Sequence, residues 1–212
     1  MSLLRSEAGP HLWPLPDTGM RECGAAQGSA MNRAQPGLFD ASEGWWCNLG
    51  QASLGAVISD CGRYRTMLWR TFDGGRSPMA FCMLNPSTAD ASVDDPTIRR
   101  CREFARRESA GGIIVVNMCP WRATDPRDLD RARGAHEDVM WDEHNQDAVE
   151  TAWRLCSKFV VAWGAGIRPW MERAAFMVRR AAPERYCLGE TKMGEPRHPL
   201  YLARGTPLEL YP

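Results

Sequence analysis

From about Ala52 onward, short apolar runs alternate with stretches whose apolar residues recur at helical spacing. Tyr64 to Arg70 reads as a strand, and a Gly74-Gly75 turn leads into a second, Met79 to Leu84. Asp94-Asp95-Pro96 then opens a helix, with a carboxylate at the N-cap and proline in the first turn, and Gly111-Gly112 is expected to stop it. Ile113 to Asn117 is the next strand, and a loop with Pro120, Trp121 and Pro126 follows it. His144 to Cys156 is expected as a helix, Phe159 to Trp163 as a strand, Pro169 to Arg180 as a helix and Arg185 to Leu188 as a last short strand. Strands alternating with helices imply an α/β fold, here three layers (α/β/α) around a central, mainly parallel four-stranded sheet. Residues 1–45, rich in Gly, Pro, Ala and Ser without periodicity, read as a poorly ordered arm, and residues 46–212 as one domain.

Three of these apolar runs end in polar or glycine-containing motifs: Leu84-Asn85-Pro86-Ser87, Val115-Val116-Asn117-Met118 and Val161-Ala162-Trp163-Gly164-Ala165. In an open α/β sheet such residues sit at the carboxyl edge, where ligands bind. Pro86 fixes a turn just past its strand, so the Asn85 amide either projects over the sheet edge or bonds nearby backbone as an Asx-type turn. Asn117 closes the apolar run Ile113-Ile114-Val115-Val116. A buried amide there costs ~1–3 kcal/mol unless its donor and acceptor find partners, either in loop backbone or in a ligand such as a nucleobase edge. His198, in His198-Pro199-Leu200-Tyr201-Leu202, is either a donor to developing negative charge or a surface histidine. Gly164 reads as a place where another loop approaches the backbone closely, and Trp163 as core.

Charge alters this picture locally. The 26 basic and 26 acidic residues balance, but Arg99, Arg100, Arg102, Arg106 and Arg107 crowd one helix. Arg99, Arg102 and Arg106 share a helix face, which is either simply solvated or set against a phosphate backbone. The eight cysteines form no CxxC pair and no Cys-His cluster, so no metal and no cofactor is expected. Neither a signal-peptide pattern nor an apolar stretch of the ~20 residues that span a bilayer is present, so the expectation is a cytoplasmic chain with reduced thiols and no membrane partner.

Taken together, the four motifs resemble the uracil-DNA glycosylase superfamily over about Met79 to Gly205. They also resemble a bacterial and phage branch of long-unassigned function, whose hallmark is the Met83-Leu84-Asn85-Pro86-Ser87-Thr88-Ala89-Asp90 run. The resemblance implies that Asn85 positions the hydrolytic water, that Asn117 reads the polar edge of a flipped base, and that His198 stabilises the anion left on it. Leu202 would be an apolar wedge in the gap left by the extruded nucleotide, with Tyr201 or Leu200 as substitutes, and Arg204 beside it on DNA. Because Asn85 stands where an Asp can stand and cannot accept a proton at neutral pH, Asp90, Asp94 or Asp95 is expected to supply a carboxylate. Ser87, with Pro86 beside it in the base pocket, matches a position where strictly uracil-specific members carry a tyrosine that excludes C5 substituents.

The expected activity is therefore hydrolysis of the N-glycosidic bond of a modified, C5-substituted or hypermodified pyrimidine, leaving an abasic site, in phage defence or repair. The partner would be double-stranded DNA with one flipped base, bound by a monomer. Three rivals stand beside it: a hydrolase or transferase acting on free modified nucleosides or nucleotides, a non-catalytic, base-sensing DNA-binding protein, and a structural partner protein.

Overall fold

The computed structural model describes residues 53–212, except residues 88, 90, 91, 126, 136–138 and 141 and the side chains of 142 and 143. The chain divides between Pro36 and Gly37, and every described residue lies in the second unit, Gly37–Pro212. The expected N-terminal arm lies outside the described residues.

Two strands, β3 (Met79–Met83) and β4 (Gly112–Asn117), are buried at every residue. Strands covered on both faces read as unbroken apolar runs, which is why both were visible in the sequence. Flanking them are β1 (Leu54–Ile58), β2 (Arg65–Thr71), β5 (Lys158–Val161), β6 (Tyr186–Cys187) and β7 (Glu209–Leu210), in one sheet of order β1-β2-β4-β3-β5-β6-β7. The expected four-stranded sheet is thus corrected to seven strands. The segment β4-β3-β5-β6 is parallel throughout, and the antiparallel pairs β1-β2, β2-β4 and β6-β7 extend it at both ends.

The strands that escaped the sequence reading are β1 and β7. Neither has a run of buried apolar side chains: only Gly55 is buried in β1, and both residues of β7 are exposed. Gly55 is opposite Trp69 in the ladder, and a Cβ there would lie 2.1 Å from the Trp69 ring. The aromatic ring thus covers the glycine, a long-range fit that local pattern does not reveal.

Among the described residues four α-helices accompany the sheet: α1 (Pro96–Arg107), α2 (Arg127–Gly134), α3 (Asp142–Leu155) and α4 (Glu172–Ala181). As expected, Asp95 caps α1, its carboxylate accepting from the Ile98 N–H at 2.8 Å, with Pro96 following. The helix stops earlier than the Gly111-Gly112 signal. Ser109 takes the left-handed conformation (φ 57°), and Gly111 instead permits a close approach, since a Cβ there would lie 2.0 Å from the Arg76 carbonyl oxygen. Helix α2 falls where a loop was expected because Leu129 is its only buried side chain, leaving no apolar stripe to read.

Alternation along β4 sorts the core. Ile113 and Val115 pack with Met79, Phe81 and the α1 residues Ile98, Cys101 and Phe104, whereas Ile114 and Val116 pack with Val149 of α3 and Ala175 and Val178 of α4. From β3 the chain passes through α1 to β4 on one side, and β5 later pairs with the other side of β3. The ends of β3 and β5 therefore flank a topological switch point, the crevice where open α/β sheets hold ligands.

A partly buried ion cluster holds α1 against β2. Arg70 donates to Asp94 at 2.7 Å, and Arg102 donates to the other carboxylate oxygen. Burial alone would raise the Asp94 pKa, but the hydrogen bonds and charges of Arg70 and Arg102 outweigh it and hold the carboxyl below its ordinary 3.8. This contribution to stability is present above pH 3.8 and lost as pH falls through the lowered folded value. Asp94→Ala should cost about 3 kcal/mol in urea unfolding, because it takes the carboxylate from the buried Arg70 guanidinium and leaves it only neutral carbonyl acceptors such as those of Gly55 and Trp69, and should flatten the acid limb of the stability profile.

Candidate functional site

Asn117 is the last residue of β4 and faces the α1 side of the sheet with Ile113 and Val115. It is 1% exposed, and neither its Nδ2 nor its Oδ1 has a hydrogen-bond partner among the described residues. Of the two sequence expectations for this amide, loop backbone or a ligand, the backbone partner is absent. A fully unsatisfied buried amide costs ~1–3 kcal/mol, a charge that folding alone does not explain.

Asn85 lies just past the end of β3, in the turn adjoining Asn117, whose ladder partner is Met83. Its Nδ2 donates to the Pro86 carbonyl at 3.0 Å and to the Ala123 carbonyl at 2.8 Å, while the Ala123 N–H donates to the Pro86 carbonyl at 2.9 Å. The Asx-type turn expected as one alternative is thus present. With both donors used on carbonyls, the amide orientation is set and Oδ1 remains as an acceptor. Pro86 is buried beneath it. Ser87 is engaged too, its hydroxyl donating to Asp95 Oδ2, so Asp95 caps α1 through one oxygen and holds Ser87 through the other.

His198 reaches this cluster from the far end of the chain. Gly164, at φ 73°, has a backbone that only glycine adopts freely, and a Cβ there would lie 3.2 Å from His198 Cβ. Its N–H donates to the Pro196 carbonyl at 2.8 Å, so the segment 196–198 is laid across the end of β5. This is the close loop approach expected of Gly164, and Trp163 is core as expected, its indole donating to Glu195 at 2.6 Å. The Leu200 N–H donates to His198 Nδ1 at 3.4 Å, an arrangement that assigns the ring proton of the neutral imidazole to Nε2. Burial pushes the His198 pKa below 6.5, and the nearby Asp95 carboxylate opposes that shift. The ring is accordingly a neutral donor at physiological pH.

The outer residues depart further from expectation. Leu202, expected as an apolar wedge, is 5% exposed and belongs to the core on the α1 side with Met83, Ile98 and Phe104. An apolar residue four beyond His198 is turned inward because Pro199–Tyr201 forms one tight helical turn. The exposed ring at this turn is Tyr201, at 80%, with its centroid 5.7 Å from that of His198. Arg204 is exposed and pairs with Glu103 at 3.1 Å. Arg99, Arg102 and Arg106 do share a face, but each has a structural engagement. Arg99 donates to the Asp94 carbonyl at 2.8 Å, Arg102 to the Asp94 carboxylate, and the Arg106 guanidinium stacks 4.5 Å from the Phe72 ring centre. Asp90 lies outside the described residues.

The fold thus gathers Ser87, Asp95, Gly164 and His198 at the switch point, with Asn85 in the same turn and Asn117 at the neighbouring strand end. The two cavities described in the molecule, one between α3 and α4 and one beside Trp153, Arg185 and Tyr211, are lined by none of Asn85, Asn117 and His198. Asp95 is the member whose position the sequence undervalued. It was one of three interchangeable acids there, and only the fold turns it towards both Ser87 and His198.

The family model described as Protein of unknown function (DUF1643) matches residues 63–200, and the chain belongs to that family. The match takes in Asn85, Asn117, Asp95 and His198 and stops short of Tyr201 and Leu202. No curated protein and no solved structure matches the chain.

Asp95→Asn keeps a good helix cap but removes the charge that counters burial. A proton NMR titration should place the His198 pKa below 6.5 in the native chain and lower still in the variant. The His198 contribution to stability is accordingly present above pH 6.5 and lost as pH falls through the folded value. Asn117→Leu replaces the unpaired amide with an apolar group of similar size. Calorimetry should show a melting temperature raised by about 2–4 °C, the equivalent of ~1 kcal/mol in a chain of this length.

Proposed function

We propose that this member of the DUF1643 family is a DNA N-glycosylase of the uracil-DNA glycosylase type. It would hydrolyse the N-glycosidic bond of a C5-substituted or hypermodified pyrimidine in double-stranded DNA and leave an abasic site, in phage defence or repair. On this reading the helices that share the two core clusters form layers on opposite faces of the sheet, and the base enters at the switch point between β3 and β5. The observation that carries the proposal is the Asn117 amide, buried at the strand end with donor and acceptor both unsatisfied. A pyrimidine edge presents a complementary donor and acceptor side by side.

The chemistry follows from what each group can do. Extruding the nucleotide takes a few kcal/mol of unstacking. As the bond to the sugar lengthens, positive charge grows on the sugar and negative charge on the departing base. The Nε2–H of neutral His198 donates to that anion, an interaction worth ~3–4 kcal/mol when well aimed. Asn85 Oδ1 accepts a hydrogen bond from the attacking water and orients it without taking its proton. Asp95, bonded to Ser87 and close enough to bias His198, is the carboxylate that takes the proton the water releases as its oxygen bonds to the sugar, while the base departs as the anion. Tyr201 replaces Leu202 as the residue presented to the gap in the duplex.

A second reading, hydrolysis of free modified nucleosides, is favoured by the engagement of Arg99, Arg102 and Arg106 with Asp94 and Phe72, which leaves that face less positive charge for phosphates. The two are separated by incubating the purified protein with duplexes carrying different C5-modified pyrimidines and, in parallel, with the corresponding free nucleosides. Alkali-labile breaks in a modified duplex, reduced about 100-fold or more by His198→Ala or Asn117→Leu, are expected. Base release from nucleosides alone would favour the second reading, and no release from either substrate would remove both.

A further inference from the structure

On the sheet face opposite α1, a second unsatisfied amide adjoins a cavity. Asn145, on α3, is 6% exposed, and its Nδ2 donates to the carbonyls of Asn117 at 2.9 Å and Met118 at 3.1 Å. Those two bonds turn Nδ2 onto β4 and leave Oδ1, which is buried and has no partner among the described residues, directed away from the strand. Asn145 lines a cavity of about 210 Å³ between α3 and α4, whose walls include Met118, Trp170, Ala174 and Met177, with Gln146 and Arg173 as the other polar residues.

We propose that this cavity is a binding site for a small ligand with one aromatic ring and one hydrogen-bond donor, the donor bonding to Asn145 Oδ1. The size sets the class: an apolar cavity of ~150 Å³ accepts benzene, whereas drug-sized ligands need roughly 300 Å³ or more. The walls suit a flat ring, since methionine side chains adapt to ring edges and Trp170 offers a face for stacking. The acceptor then selects among rings of that size, because a ring without a donor leaves Oδ1 unsatisfied. The site is separate from the sheet-edge residues: it opens on the other side of β4, and nothing in its recognition depends on the glycosylase reading.

The test uses phenol and toluene, near-equal in shape and different in the donor. Each is titrated into the full-length protein while the indole N–H resonance of Trp170, assigned through Trp170→Phe, is followed by NMR. Phenol should shift that resonance saturably and bind about three- to tenfold more tightly than toluene, the worth of one neutral hydrogen bond. Ala174→Leu should fill the cavity and abolish the shift while the circular dichroism spectrum is unchanged, and Met177→Phe serves the same purpose if Ala174→Leu does not fold. Absence of a saturable shift with either probe, equal affinity for both, or binding that survives a folded cavity-filling variant would overturn the assignment.

Discussion

A strand covered on both faces has no water to satisfy a polar side chain, and β4 is such a strand from Gly112 to Asn117. Whatever polar group stands at its end must find its partner within the protein or in something bound to it. The first five residues of β4 meet this constraint by being apolar. Asn117 does not meet it, and Asn145, buried behind the same strand end, meets it only in part. Native interiors leave few such groups, and two of those in this molecule adjoin one strand end.

The carboxyl edge around Asn117 is assembled by side chains that each hold several parts of the structure at once. Asn85 ties its own turn to the Ala123 loop and, in doing so, sets the direction of its remaining acceptor. Asp95 begins α1, holds Ser87 and biases His198. Gly164 lets the 196–198 segment cross β5 at van der Waals distance, which buries the imidazole and keeps it neutral. Because these tasks share atoms, the geometry of the edge is linked to the integrity of the fold. Substitutions that preserve one role and delete the other, such as Asp→Asn at a helix cap, are the informative ones.

The arginines of α1 carry a similar lesson about charge. A cluster of like charges on one helix face suggests an open electrostatic surface. Here Arg102 joins Arg70 on one half-buried carboxylate, Arg106 stacks on Phe72, and Arg107 donates to the carbonyls of Arg204 and Thr206 at 2.7 and 2.6 Å. Much of the basic character is spent holding α1 to β2 and to the loop after His198. The potential left for a phosphate partner is smaller than the residue count implies.

Local pattern was enough for the buried strands β3, β4 and β5, the helices α1, α3 and α4, and the cap at Asp95, since each is set by runs, periods or capping chemistry within a few residues. It was also enough to mark Asn85, Asn117 and Gly164 as polar or permissive residues closing apolar segments, and His198 as a candidate donor in its own motif. Edge strands β1 and β7 were beyond its reach, because their pairing depends on partners such as Trp69 rather than on their own pattern, and so was α2, with its single buried residue. Only the tertiary structure could decide that Leu202 turns inward and Tyr201 outward, that Asp95 rather than Asp94 stands near His198, and that the Asn117 amide is left unpaired. Those outcomes depend on which segments, distant along the chain, are brought within hydrogen-bond reach, and no local periodicity encodes that.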